Sequence, residues 1–309
     1  MRHPIFSLFL VALLFQSCAT KISQTDALLK EHHGLSQSVK IMTVPFIKQS
    51  KNHCGPASLS MILDSLGKKT DLNLLSSQMI TPGASGTYST DLISSIRRQG
   101  MLGVEVNNLE NLLVEINSGN PVLVFQNLGF SFYPRWHYAV ALGYELKGPD
   151  VILHSGTDKY LKTDMRLFER TWELAGNWGL VILVPGKLSA TGTELGHASS
   201  ASGLERIGKL AEAQISYETI LERWPKSLPA LMGLGNIKYA EKYFQQSMSY
   251  LKQATQYHPE SSMAWHNLAI AEGAARKTQA AIISAKMALK LASASEKVAF
   301  KENLKDYLD

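Results

Sequence analysis

Apolar side chains fall into two patterns along the chain. Up to about residue 186 they come in short runs bounded by glycine, proline and polar clusters; beyond about residue 204 they recur at helical spacing. In the first part, K-I-M-T-V-P-F-I from Lys40 reads as a strand. A-S-L-S-M-I-L-D-S-L-G reads as a helix that stops at Gly67, and T-D-L-I-S-S-I-R-R-Q-G as another, capped by Ser89 or Thr90 and ended by Gly100. Short strands follow: M-L-G-V-E-V, P-V-L-V-F-Q, W-H-Y-A-V-A-L-G-Y, D-V-I-L-H and W-G-L-V-I-L-V-P. Helices first and strands later predict an α+β domain with an antiparallel sheet, over residues 39–186.

Residues 187–203 are small and polar, and they read as a linker to a second domain at 204–309. There L-M-G-L-G-N-I-K-Y superposes on W-H-N-L-A-I-A-E-G, with Leu231 on Trp265, Leu234 on Leu268, Gly235 on Ala269 and Pro225 on Pro259. Each shift is 34 residues. A period of this length with small residues in register resembles the tetratricopeptide repeat, a helix-turn-helix unit that stacks on its neighbours. E-A-Q-I-S-Y-E-T-I-L-E-R-W-P supplies the second helix of an earlier, degenerate unit, giving two full repeats and a partial one.

The first residues change the expected compartment. A short basic start and an apolar run from Ile5 to Phe15 fit an export signal too short to span a bilayer comfortably. Ser17-Cys18 directly after it resembles the lipobox of bacterial lipoproteins, which implies cleavage after residue 17 and acylation of Cys18. Phe15 and Gln16 depart from that box; Ala19 in the following position favours the outer membrane, facing the periplasm. Residues 18–38 then read as a lipidated tether. With Cys18 consumed, Cys54 is the one remaining thiol and has no disulfide partner in the chain.

Composition narrows the classes of function. Apolar residues at 45% supply enough material for cores, and 31 Lys and Arg against 26 Asp and Glu are spread without a basic run, so nucleic-acid binding is not expected. No spacing suggests a metal site or a phosphate cradle, and no cofactor is expected.

The chemistry centres on Q-S-K-N-H-C-G-P-A-S-L-S-M-I-L, from Gln49 to Leu63. Cys54 stands at the start of a helix, where unpaired N–H groups and the positive end of the dipole favour a thiolate. The same groups can steady an oxyanion, and the Gln49 amide can add a donor. Of the nine histidines, His137 begins an apolar strand far downstream and is the expected base and acid.

Q-x4-C-G-P-A-x-L followed by W-H-Y-A-V resembles the bacteriocin-processing, double-glycine-leader peptidase family, over about residues 42–184. The resemblance implies a papain-like fold, Cys54 as nucleophile, His137 as base and acid and Gln49 as oxyanion donor. In that family an Asp-Pro pair after the histidine strand orients the imidazole; Ser155 and Gly156 stand in its place here. Two groups remain for that task, Ser155 itself or Asp158 in the following loop. The expected function is thiol-dependent peptide cleavage at the cell envelope, with a peptide or protein substrate, a protein partner on the repeats and membrane attachment through the lipid. A catalytically degenerate peptide-binding scaffold and a thiol-dependent acyltransferase are the alternatives.

Overall fold

The computed structural model describes residues 23–31, 34–50, 52–80 and 86–307; Cys18 and the expected signal lie outside them. Seven strands build one sheet: β1 (Ser38–Lys40), β2 (Leu102–Val106), β3 (Val122–Asn127), β4 (Trp136–Glu145), β5 (Asp150–Ser155), β6 (Asp158–Asp164) and β7 (Gly179–Leu183). Their order is β2-β7-β3-β4-β5-β6, with β1 paired to β4, and the pairings are antiparallel. Six helices belong to the same domain: α1 (Ser23–Lys30), α2 (Cys54–Ser65), α3 (Leu72–Met79), α4 (Ser89–Arg98), α5 (Leu109–Asn117) and α6 (Met165–Glu173).

Alternation along the central strands gives the sheet two apolar faces. Leu123, Tyr138, Val140, Leu142, Leu180 and Ile182 pack with Leu59, Ile62 and Leu63 of α2 and with Leu75 of α3 and Leu92 of α4. Val122, Val124, Ala139, Ala141 and Val181 point the other way, onto Leu112 of α5, Phe168 and Trp172 of α6 and Leu28 of α1. The α+β antiparallel expectation therefore holds, and α2 reaches the sheet from one side alone.

Several boundaries differ from the sequence reading. The strand expected from Lys40 ends there, because β1 covers Ser38–Lys40 and pairing continues only as Ile41 N–H to Leu142 O. Pro45 has no N–H to extend a ladder. The cap of α4 is Tyr88, which makes no side-chain cap bond, instead of Ser89 or Thr90. Part of the expected tether is folded. Glu169 of α6 accepts from the backbone N–H of Gln24 (3.0 Å) and Thr25 (2.9 Å), and so caps α1 from outside, while Gln24 Oε1 accepts from Leu109 N–H at 2.8 Å.

The helical half consists of α7 (Glu194–Arg206), α8 (Leu210–Arg223), α9 (Leu228–Ala240), α10 (Phe244–Tyr257), α11 (Ser262–Ala274), α12 (Thr278–Leu291) and α13 (Ala294–Asn303). The starts of α7, α9 and α11 are 34 residues apart, and so are those of α8, α10 and α12. Three helical pairs thus follow one period, and the partial repeat has a complete first helix. That helix, α7, occupies most of the segment read as a linker. Its small residues serve close packing: Ala198, Ala201 and Leu204 are buried, and Ser200 Oγ accepts from Gly103 N–H of β2 at 2.9 Å. One apolar core runs from the sheet through α7 into Tyr217, Ile220, Leu234 and Ile237 of the next helices.

The stretch before α7 is also fixed. The fully buried carboxylate of Glu115 in α5 accepts from Thr191 N–H (2.7 Å), Thr191 Oγ1 (2.6 Å), Ala190 N–H (3.2 Å) and Asn120 Nδ2 (2.8 Å). Removing the acceptor leaves four part-buried donors without their partner at once. Glu115→Ala is expected to cost about 3 kcal/mol of stability, read as a lower denaturation midpoint in urea; an unchanged midpoint would show that water replaces the carboxylate.

Candidate active site

The site lies where β4 begins and β5 ends. Cys54 is the first residue of α2, and Pro56 occupies the first turn, where its missing N–H costs nothing. Gly55 is required by packing, because a Cβ there would come within 2.7 Å of Thr87 Oγ1. The Cys54 sulfur lies against the backbone N–H of Tyr138, the residue after His137. Burial pushes the thiol above its ordinary 9.0, while the N–H groups of Tyr138, Gly55 and Cys54 itself pull it down less strongly. The helix start therefore acts in the expected direction but does not win, and the resting group is a thiol.

His137 is half-buried, and burial followed by the Arg135 charge lowers its pKa from 6.5, so the ring rests neutral. Its Nε2 lies 2.9 Å from Ser155 Oγ. Of the two groups left open by the sequence, the strand-end hydroxyl meets the ring. Asp158 is exposed at the start of β6, paired with Ser155 in register across the turn. His154, one residue before Ser155, is fully buried between Phe46 and Tyr160, and burial lowers it to about 4. It is a core residue.

Gln49 ties these parts together. Its Nε2 donates to Ser58 Oγ of α2 (3.0 Å) and to Tyr138 O of β4 (3.3 Å), and its Oε1 accepts from Gly156 N–H (2.9 Å). Its own N–H donates to Gly156 O at 2.9 Å. The side chain thus fills the gap where β5 leaves β4, and locks the turn after Ser155 to the helix that Cys54 begins. Sequence reasoning missed Ser58 and Gly156 as its partners. Nothing in their spacing marks them, because the contact is made only when helix, strand and turn converge.

Residues 41–180 match the model of the Peptidase_C39 like family. Over these residues the N-terminal domain is similar to that family. A C39-like peptidase from Bacillus anthracis aligns with 19% identity over 50% of this chain and 100% of its own, at a TM-score of 0.41. MamA from Desulfovibrio magneticus RS-1 (residues 41 to its end) aligns at 16% identity, over 37% of this chain and 67% of its own, with a TM-score of 0.33. YrrB, described as a TPR protein with an unusual peptide-binding site, gives 16% identity, 38% and 59% coverage and a TM-score of 0.34. No curated protein matches the chain.

Around the C39-like site, aromatic rings brace the start of β4. Phe125 stacks on Trp136 with centroids 5.3 Å apart, and Trp178 meets the edges of Phe125 and Tyr138. Trp172 is core, whereas Trp136 is exposed beside His137. Among the described residues, no three His, Cys, Asp or Glu side chains gather as a metal would need.

Proposed function

We propose that this chain is a lipid-anchored envelope protein whose C39-like domain hydrolyses peptide bonds through Cys54. Support comes from one observation above all: the His137 ring is held at Nε2 by Ser155, 2.9 Å away, while the Cys54 sulfur sits on the backbone beside it. With Nε2–H donated to Ser155, Nδ1 carries the lone pair. It takes the Cys54 proton as sulfur attacks the peptide carbonyl carbon, then delivers that proton to the leaving amine. Water, deprotonated by the same nitrogen, cleaves the thioester and restores the thiol.

The backbone N–H groups of Cys54 and Gly55 steady the oxyanion. Gln49 can join them only by giving up its 3.3 Å bond to Tyr138 O as substrate enters. Since thiol and imidazole both rest neutral, the proton moves during attack, in contrast to a preformed ion pair. The helical repeats bind a protein or peptide partner. Export and acylation at Cys18 rest on the apolar run and the Ser17-Cys18 pair.

The chain is to be incubated with a mixed peptide library and new amine termini identified by mass spectrometry. Cleavage is expected to occur, and to stop once Cys54 is alkylated by iodoacetamide. The alkylation itself is expected to run slower at pH 7 than for an unburied thiol and to accelerate with rising pH, because the pKa is raised. A chain that produces no new termini from any peptide would be a binding scaffold; the uncharged Ser155 in the orienting position favours that second reading.

A further inference from the structure

The β3–β4 connection carries large apolar side chains outward beside the site. Leu128, Phe130, Phe132, Tyr133 and Trp136 are all exposed, Phe132 at 84%. This exposure is built. Phe130 and Tyr133 exchange backbone hydrogen bonds of 3.1 and 3.2 Å around a two-residue tip, and Leu128 N–H donates to Arg135 O at 2.9 Å. The buried Asn127 accepts from the N–H of Gly129 (2.9 Å) and Arg135 (2.8 Å) and donates to Phe130 O (3.2 Å). Gly129 allows the two arms to close, since a Cβ there would overlap the Tyr133 carbonyl oxygen. Phe130 and Phe132 stack at the tip with centroids 5.4 Å apart.

An exposed, hydrogen-bonded tip of aromatic rings with Tyr133, Arg135 and Trp136 at its base has the composition of a membrane-interface element. A cleft for a substrate would instead be concave. The position of α1 points the same way. Val106 and Val124 lie level, both opposite Gly179, so Leu109 and the hairpin leave the sheet at the same end. There Leu109 N–H holds Gln24, and Glu169 holds the start of α1. From Ser23 back to Cys18 there are five residues, which reach at most about 18 Å when extended.

We propose that the 128–136 hairpin seats its aromatic tip in the surface of the lipid bilayer that holds the acylated Cys18. This inference rests on the lipoprotein reading for its location but makes a separate contact. A lipid on Cys18 attaches the chain at one point and leaves it free to turn, whereas a second apolar contact fixes its orientation on the surface.

Removing residues 1–18 deletes no described element, so the chain from Ala19 onward is the test protein, its fold checked by circular dichroism. Flotation with vesicles of phosphatidylethanolamine and phosphatidylglycerol is expected to carry it upward. F132S is expected to weaken partitioning, and F130S/F132S to lower it at least about tenfold. The KM and kcat for a soluble peptide should not change. A wild-type chain that stays in solution overturns the proposal, as does equal partitioning of the variants. A raised KM with unaltered flotation would make the hairpin a substrate ledge instead. The anchor is judged separately: an unmodified Cys18 in protein isolated from membranes removes the lipid while leaving the flotation result standing.

Discussion

Cys54→Ala is expected to reduce peptide hydrolysis to background, a loss on the order of 10⁵-fold or more, with the fold retained. The chemistry needs a sulfur lone pair at the start of α2, and the other groups near His137 cannot provide one: Ser155 is tied to the ring and Ser58 accepts from Gln49. The structural cost is small, because the helix is held by Leu59, Ile62 and Leu63 in the core and the cysteine is only half-buried. Losing one sulfur there costs about 1 kcal/mol. The measurement pairs kcat/KM for a cleaved peptide with a thermal melt. A variant that melts like the wild type and still cleaves would move hydrolysis away from this thiol and end the proposed mechanism.

Ser155→Asp is expected to raise kcat/KM by about tenfold to a hundredfold. The imidazolium that forms during attack now faces a hydroxyl, which accepts a hydrogen bond but carries no charge, and His137 lies below its ordinary pKa through burial and Arg135. A carboxylate in the same position offsets both influences and raises the His137 pKa. The sign is testable apart from the rate. In wild type the ring loses its proton below pH 6.5, so the acid limb of the kcat/KM profile falls early; in the variant that limb moves to higher pH. Ser155→Ala should act in the opposite direction on rate. A folded Ser155→Asp variant with unchanged profile and rate would mean that the ring is not the base.

The parts of the fold that sequence conveyed best are those with a strong period. β3, β4 and β7 are central strands apolar on both faces, and α2 and the repeat helices have regular apolar spacing. β6 was missed because D-K-Y-L-K-T-D lies at the sheet edge, exposed along most of its length, and shows no apolar alternation. α7 was missed for the opposite reason. Its Ala, Ser and Gly look like linker composition, yet that smallness lets the helix press against β2.

The site divides the same way. Cys54 and His137 stand out as candidates by residue type and local order, and the structure places one at the start of a helix and the other near the start of a strand. The choice between Ser155 and Asp158 depended on which end of a two-residue turn faces the ring, and spacing does not encode that. The direction of the Cys54 pKa was misread because the dipole is visible in sequence whereas the depth of burial is not.

The apolar core that runs from the sheet into Tyr217 and Leu234 has a practical meaning for anyone recombining such proteins. The seam between the two halves is not a place to cut. A chimera spliced within 187–203 would separate α7 from β2 and leave Glu115 facing foreign donors, so exchangeable modules should begin only beyond α9, whose Leu234 and Ile237 still belong to this core. Whatever the distal helices carry is then delivered along a fixed arm, at an angle set by the interior of the N-terminal domain.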